Sequence, residues 1–135
     1  MKRYFSCIGF ALLLFSIGAC TKHAGDLLAP DEPAQAVLNV AQPTAGGEYR
    51  PGDTVRIVAE AIAPATIHGY DVAIVPVNDS TRLFYAQVHQ HNDTLQISHF
   101  WVNDQAAAKE LEVRITLTLD HEGNTLVRRI PFRVL

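Results

Sequence analysis

Six histidines, two cysteines and 14 acidic residues hold most of the chemistry open to this 135-residue chain. Imidazole and thiolate bind transition metals and support nucleophilic catalysis, while carboxylates bind hard cations or move protons. Nucleophilic catalysis finds few partners here. Beyond Cys20 the only serines are Ser80 and Ser98. Ser98 and His99 are neighbours, and neighbouring side chains on a strand point to opposite faces, so they cannot form a nucleophile–base pair. No Gly-x-Ser-x-Gly elbow occurs, and Gly46-Gly47 lacks the Lys-Ser/Thr that completes a phosphate-cradling loop. The expectation is a protein that is not an enzyme.

What the histidines can do depends on the elements that carry them. From Ala36 onward the dominant period is two, the signature of strands. Expected strands are Ala36–Val40, Thr54–Ala63 (ended by Pro64), Ile67–Val75, Arg82–Gln90, Leu95–Val102, Glu110–Leu119 and Leu126–Val134. Pro43–Asp53 reads as turn chemistry and Asp104–Glu110 as a single helical turn in a crossover. Val55, Ile57, Ala59 and Ala61 share one face of their strand, as do Tyr70, Val72 and Ile74, and Leu111, Val113, Ile115, Leu117 and Leu119. In the last strand Ile130, Phe132 and Val134 face inward with Arg128 on the same parity, which calls for a bulge or a sheet end. About seven strands in roughly 100 residues describe an all-β, immunoglobulin-like antiparallel β-sandwich.

In that topology the connections after the second, fourth and sixth strands lie at one end. They hold or border His68, His91 with Asp93, and Asp120-His121-Glu122. His89-x-His91 would put two imidazoles on one strand face. Converging on one rim, His68, His89, His91 and His121 could bind Zn²⁺ or Cu²⁺. The alternative is a solvated rim with no common centre. His99 shares parity with Leu95, Ile97 and Trp101, which makes it a hydrogen-bonded histidine at the core edge rather than a ligand. A two-residue Asn92-Asp93 turn would set His89 opposite Gln96, with His99 on the other sheet face; a loop one residue longer would bring His89 and His99 onto one face. Asp120-x-Glu122-x-Asn124 echoes a calcium loop but lacks the remaining ligands and reads as a Gly-Asn hairpin turn. Asn78-Asp79-Ser80 and Asn92-Asp93-Thr94 match glycosylation acceptors and read as turns. Tyr70, Phe84, Tyr85, Phe100 and Trp101 fit core and cross-strand pairs better than a carbohydrate platform.

The N-terminus gives an address. Lys2 and Arg3 precede an apolar run from Tyr4 to Ala19, shorter than the roughly 20 residues of a spanning helix. A positive start, a short apolar core and a small-residue exit describe a secretory signal peptide over 1–19. Ile17-Gly18-Ala19-Cys20 resembles the bacterial lipobox. That resemblance implies cleavage before Cys20, a thioether-linked diacylglycerol on Cys20 and an amide-linked acyl chain such as palmitate. Two or three chains hold a protein firmly to a bilayer where one holds only marginally. Thr21 stands where retained lipoproteins carry Asp, which in a Gram-negative cell would imply the outer membrane, on its periplasmic or cell-surface face.

Residues 20–35, rich in proline, small and charged residues, read as a flexible tether averaging about 20 Å end to end. With Cys7 removed and Cys20 acylated, no thiol remains for a disulfide or for catalysis. Loss of Lys2 and Arg3 leaves nine basic residues against 14 acidic, a balance of −5. An acidic chain lacks the basic footprint of a nucleic-acid binder, and an anionic lipid surface mildly repels it, so the acyl chains hold it.

Pro43-x-x-Gly46-Gly47-x-x-x-Pro51-Gly52-Asp53-x-Val55, with Asp120-x-x-Gly123-Asn124 before the last strand, resembles bacterial Ig-like and cadherin-like modules over residues 36–135. The whole chain is similar to small surface lipoproteins classed as domains of unknown function. The resemblance implies a fold and carries over no catalytic residue. The function expected is a membrane-anchored, non-enzymatic module binding a protein or glycan, with a metal-binding lipoprotein as the alternative.

Overall fold

A computed structural model of the chain describes residues 36–135. The expected signal peptide, Cys20 and the tether lie outside the described residues. Eight strands follow in order: β1 (Val37–Gln42), β2 (Glu48–Tyr49), β3 (Thr54–Ile67), β4 (Gly69–Pro76), β5 (Phe84–Val88), β6 (Asn92–Val102), β7 (Lys109–Thr118) and β8 (Thr125–Val134). They form a three-stranded sheet, β1-β3-β6, and a five-stranded sheet, β2-β8-β7-β4-β5. All pairings are antiparallel except β2, which runs parallel to the end of β8 through Glu48↔Arg133 and Tyr49↔Val134. The fold is the expected immunoglobulin-like β-sandwich, with one short strand more than sequence patterning shows.

The core sits between the sheets and follows the two-residue period. Val55, Ile57, Ala59 and Ala61 of β3 face Val72 and Ile74 of β4 and Leu111, Val113, Ile115 and Leu117 of β7 across the gap, all buried. Phe132 of β8 pairs with Leu111 and is almost fully enclosed. Each large aliphatic side chain so buried contributes about 1.5–3 kcal/mol, which lets the domain cohere without a disulfide.

Several expectations are corrected. β3 continues past Pro64 to Ile67, because its ladder with β6 breaks between Ile62 and Ile67 and an interrupted ladder tolerates proline. The turn segment 43–53 contains β2. Asp104–Glu110 forms no helical turn; Ala106 and Ala107 make a bend and β7 starts at Lys109. β5 ends at Val88, and β6 begins at Asn92 in the other sheet. Asn92-Asp93 is therefore strand rather than turn, and no hairpin sets His89 against Gln96. Gln96 instead opposes Glu60 and donates to its carboxylate at 2.6 Å. The register of β8 with β7 is regular through Arg128, so no bulge explains that residue. Arg128 uses its inward parity to reach across to β1, where Nη2 donates to the Leu38 carbonyl at 3.3 Å.

Pairing fixes the two ends of the sandwich. Ile67 opposes Asn92, Gly69 opposes Thr118, and Tyr70 opposes Val88. The β3–β4, β5–β6 and β7–β8 connections therefore share one end, and β1 starts near it, with Val37 against Ile62.

Candidate functional site

Each rim histidine is placed by a different backbone device. His68 stands alone between β3 and β4, and its N–H donates to the Thr118 carbonyl at 2.8 Å, which ties it to the end of β7. Gly69 follows with φ +131°, and a β-carbon there would run into the Val88 carbonyl. Only glycine lets the start of β4 press this closely on the end of β5, and that closeness brings His68 beside the His89-Gln90-His91 crossover. His121 is carried by a turn that Asp120 organises: Oδ1 accepts the N–H groups of Glu122 at 2.9 Å and Asn124 at 3.0 Å, and Oδ2 accepts from the Asn124 amide. These bonds hold the Asp120 carboxyl below the usual carboxylate range, the Asn124 side chain contributing most. The carboxylate is committed to its own turn, as the hairpin reading of this segment expects.

The four expected rim residues meet. The His68 ring centroid is 4.0 Å from that of His121 and 4.8 Å from that of His91, and His89 is 4.7 Å from His91. His91 and His121 are 6.3 Å apart, so His68 bridges them. All contacts are edge-to-face. His89, His91 and His121 are exposed, and His68 is half-buried. A cavity of about 230 Å³ opens beside them, lined by His68, His89, His121, Asp71, Gln87 and Asp120 among others.

The electrostatics single out His68. Burial pushes its pKa down from the ordinary 6.5; nearby His121 and His91 push it further, Asp120 works in the opposite direction, and His89 adds a smaller push downward. Its Nδ1 is the one buried side-chain nitrogen or oxygen among the described residues with no hydrogen-bond partner. As the side chains stand, no three His, Cys, Asp or Glu groups among the described residues are gathered to hold a metal ion.

The other candidates are dispersed. His99 points inward, half-buried, its Nε2 3.1 Å from the Tyr70 hydroxyl and its ring against Phe84, and burial lowers its pKa. Ser98 points out on the opposite face. The aromatics form no shared platform: Trp101 and Tyr70 are buried, while Phe100 and Tyr85 are exposed on the outer faces of different sheets. Sequence patterning missed Gly69, although a glycine at the start of an apolar strand and directly after a histidine signals close backbone approach.

No protein-family model matches the chain, and no curated protein matches it.

Proposed function

We propose that the protein is an acyl-anchored, non-enzymatic immunoglobulin-like module that takes a small ligand at its histidine rim. One observation carries the reading: three separate connections deliver four imidazoles into one chain of ring contacts at one open end, beside a cavity. Strand ends have no packing reason to collect four titratable rings. A glycan platform has no matching support, because the exposed aromatics are divided between faces. The polypeptide also enters the domain at the rim end, since β1 begins opposite Ile62.

The anchor is tested by expressing the full chain and its Cys20→Ser variant in a Gram-negative host, with labelled palmitate and membrane fractionation. The wild-type chain is expected in the outer-membrane fraction, labelled. The variant is expected unlabelled and absent from that fraction. A variant that remains membrane-bound to the same extent sinks the anchored reading.

A further inference from the structure

We infer that the rim is a binding site for one divalent transition-metal ion, Zn²⁺ or Cu²⁺, held by His68, His91 and His121 with His89 at its border. The inference rests on the rim being the binding element and names its ligand class.

Ring spacing is the first argument. Two imidazoles on one zinc, each bonded at 2.0–2.1 Å with tetrahedral angles, place their ring centroids roughly 5 Å apart. A square-planar copper site brings neighbouring rings to about 4.5 Å. The contacts that His68 makes, 4.0 Å to His121 and 4.8 Å to His91, lie around these separations. His91 and His121 are 6.3 Å apart, and each is in contact with His68.

Donor availability is the second. Neither His68 Nδ1 nor any ring nitrogen of His89, His91 or His121 is engaged in a hydrogen bond among the described residues, in contrast to His99, whose Nε2 pairs with Tyr70. The rings meet edge to face, so ligation requires them to turn about their side-chain torsions until one nitrogen of each points to a common centre. Three of the four are exposed, and rotation between staggered wells is open to them. His68, the half-buried member, has its backbone held by the bond to Thr118, and the exposed rings turn toward it.

Donor chemistry is the third. An all-imidazole set suits Zn²⁺, Cu²⁺ and Ni²⁺, and leaves Ca²⁺ and Mg²⁺ without their oxygen ligands. The Asp120 carboxylate accepts three hydrogen bonds from Glu122 and Asn124, which makes it the residue that positions the His121 turn. Neutral imidazole is the form that binds a metal ion, so binding is measured above neutral pH.

The test is a titration of the full chain, in mild detergent at pH 7.5, with ZnSO₄ and separately CuSO₄, followed by calorimetry. Electron paramagnetic resonance of the copper-loaded chain counts the nitrogen ligands. Expected results are one saturable ion per chain, three or more nitrogen ligands, and no response to Ca²⁺ or Mg²⁺. The double variant His91→Gln/His121→Gln should weaken binding by at least the roughly 100-fold that loss of even an outer-shell partner can cost. His99→Gln and His23→Gln should leave it unchanged. Absence of saturable binding overturns the inference. So does binding that the double variant leaves intact, or copper with fewer than three nitrogen ligands. A Cys20→Ser chain that leaves the membrane but takes up no metal refutes the ion and keeps the anchored module. A chain that binds metal but stays in the membrane as Cys20→Ser refutes the anchor and keeps the ion.

Discussion

The two ends of the sandwich are built on opposite rules. At the end away from the rim, Asn103 is buried and every polar group it owns is paired. Its N–H donates to the Asp53 carbonyl at 2.8 Å, its carbonyl accepts from Gly52 at 2.8 Å, its amide reaches the Tyr49 carbonyl at 3.3 Å, and Oδ1 accepts from Gln105 at 3.0 Å. That one residue, through backbone and side chain together, ties the segments before β3 to the segment after β6. At the rim end the backbone is equally well held, by the His68–Thr118 bond and the Asp120 turn, yet the side chains it presents have unused nitrogens. The first end spends its polar groups on cohesion. The second uses its backbone to hold side chains whose hydrogen-bonding capacity is left open, which is what a binding site requires.

The largest disturbance belongs to the rim backbone. Gly69→Ala adds a β-carbon where the Val88 carbonyl already stands, at a φ of +131° that side chains rarely adopt. It is expected to cost more than about 3 kcal/mol in urea unfolding, because steric overlap and backbone strain act together. A loss under about 1 kcal/mol would mean that β4 and β5 are free to separate here. At the other end, Asn103→Ala leaves the Gln105 N–H without its acceptor and takes one of two donors from the Tyr49 carbonyl, which keeps the Leu135 N–H, and is expected to cost about 1–3 kcal/mol. Metal titration should be unaltered in Asn103→Ala. A change in affinity would show the ends to be coupled and break the contrast.

The fold was legible because most of its strands alternate cleanly. β7 reads Leu111, Val113, Ile115, Leu117 inward over ten residues, and each is buried. The rim was legible from topology, since chain order alone puts the connections bearing His68, His91 and His121 at one end. What sequence concealed were features decided by tertiary contact. β2 is two residues held by β8, too short for any period to show. The crossover at His89–His91 looked like part of a hairpin because Asn92-Asp93 has turn chemistry, but Ile67 and Leu95 draw β6 onto β3 instead. His99 was readable as a core-edge residue by parity, whereas its partner Tyr70, in the opposite sheet, was not.

Acid should separate the molecule's histidines by their environment. His68 and His99 both have folded pKa values below the ordinary 6.5, each chiefly through burial. Between the lowered values and 6.5 the unfolded chain binds more protons than the folded one, so stability rises with pH. Their contribution is complete above about pH 6.5 and is lost as pH falls through the folded values. Asp71, raised by burial, acts in the opposite sense at pH values above 3.8, and Asp79 and Asp120, both lowered, reinforce the loss only below 3.8. The urea midpoint is therefore expected to drop between pH 7.5 and 5.5, and His99→Gln should flatten that drop. An unchanged midpoint would mean that neither ring is shielded from water.

The smallest effect should come from the residues of the proposed site. His91→Gln and His121→Gln remove exposed rings that make no hydrogen bond among the described residues. Without added metal at pH 7.5 each is expected to change stability by no more than about 0.5 kcal/mol. At pH 5.5 the sign should turn favourable for His121→Gln. The His121 ring lies 4.0 Å from that of His68 and is among the groups that hold the His68 pKa below its ordinary value. With glutamine in its place the folded chain takes up the His68 proton at less cost, so the variant should unfold at higher urea than wild type in acid, and at lower urea than wild type when Zn²⁺ is present at pH 7.5. A rim packed for cohesion would lose stability under all three conditions. Only a rim whose imidazoles are kept for a ligand reverses order between acid and metal.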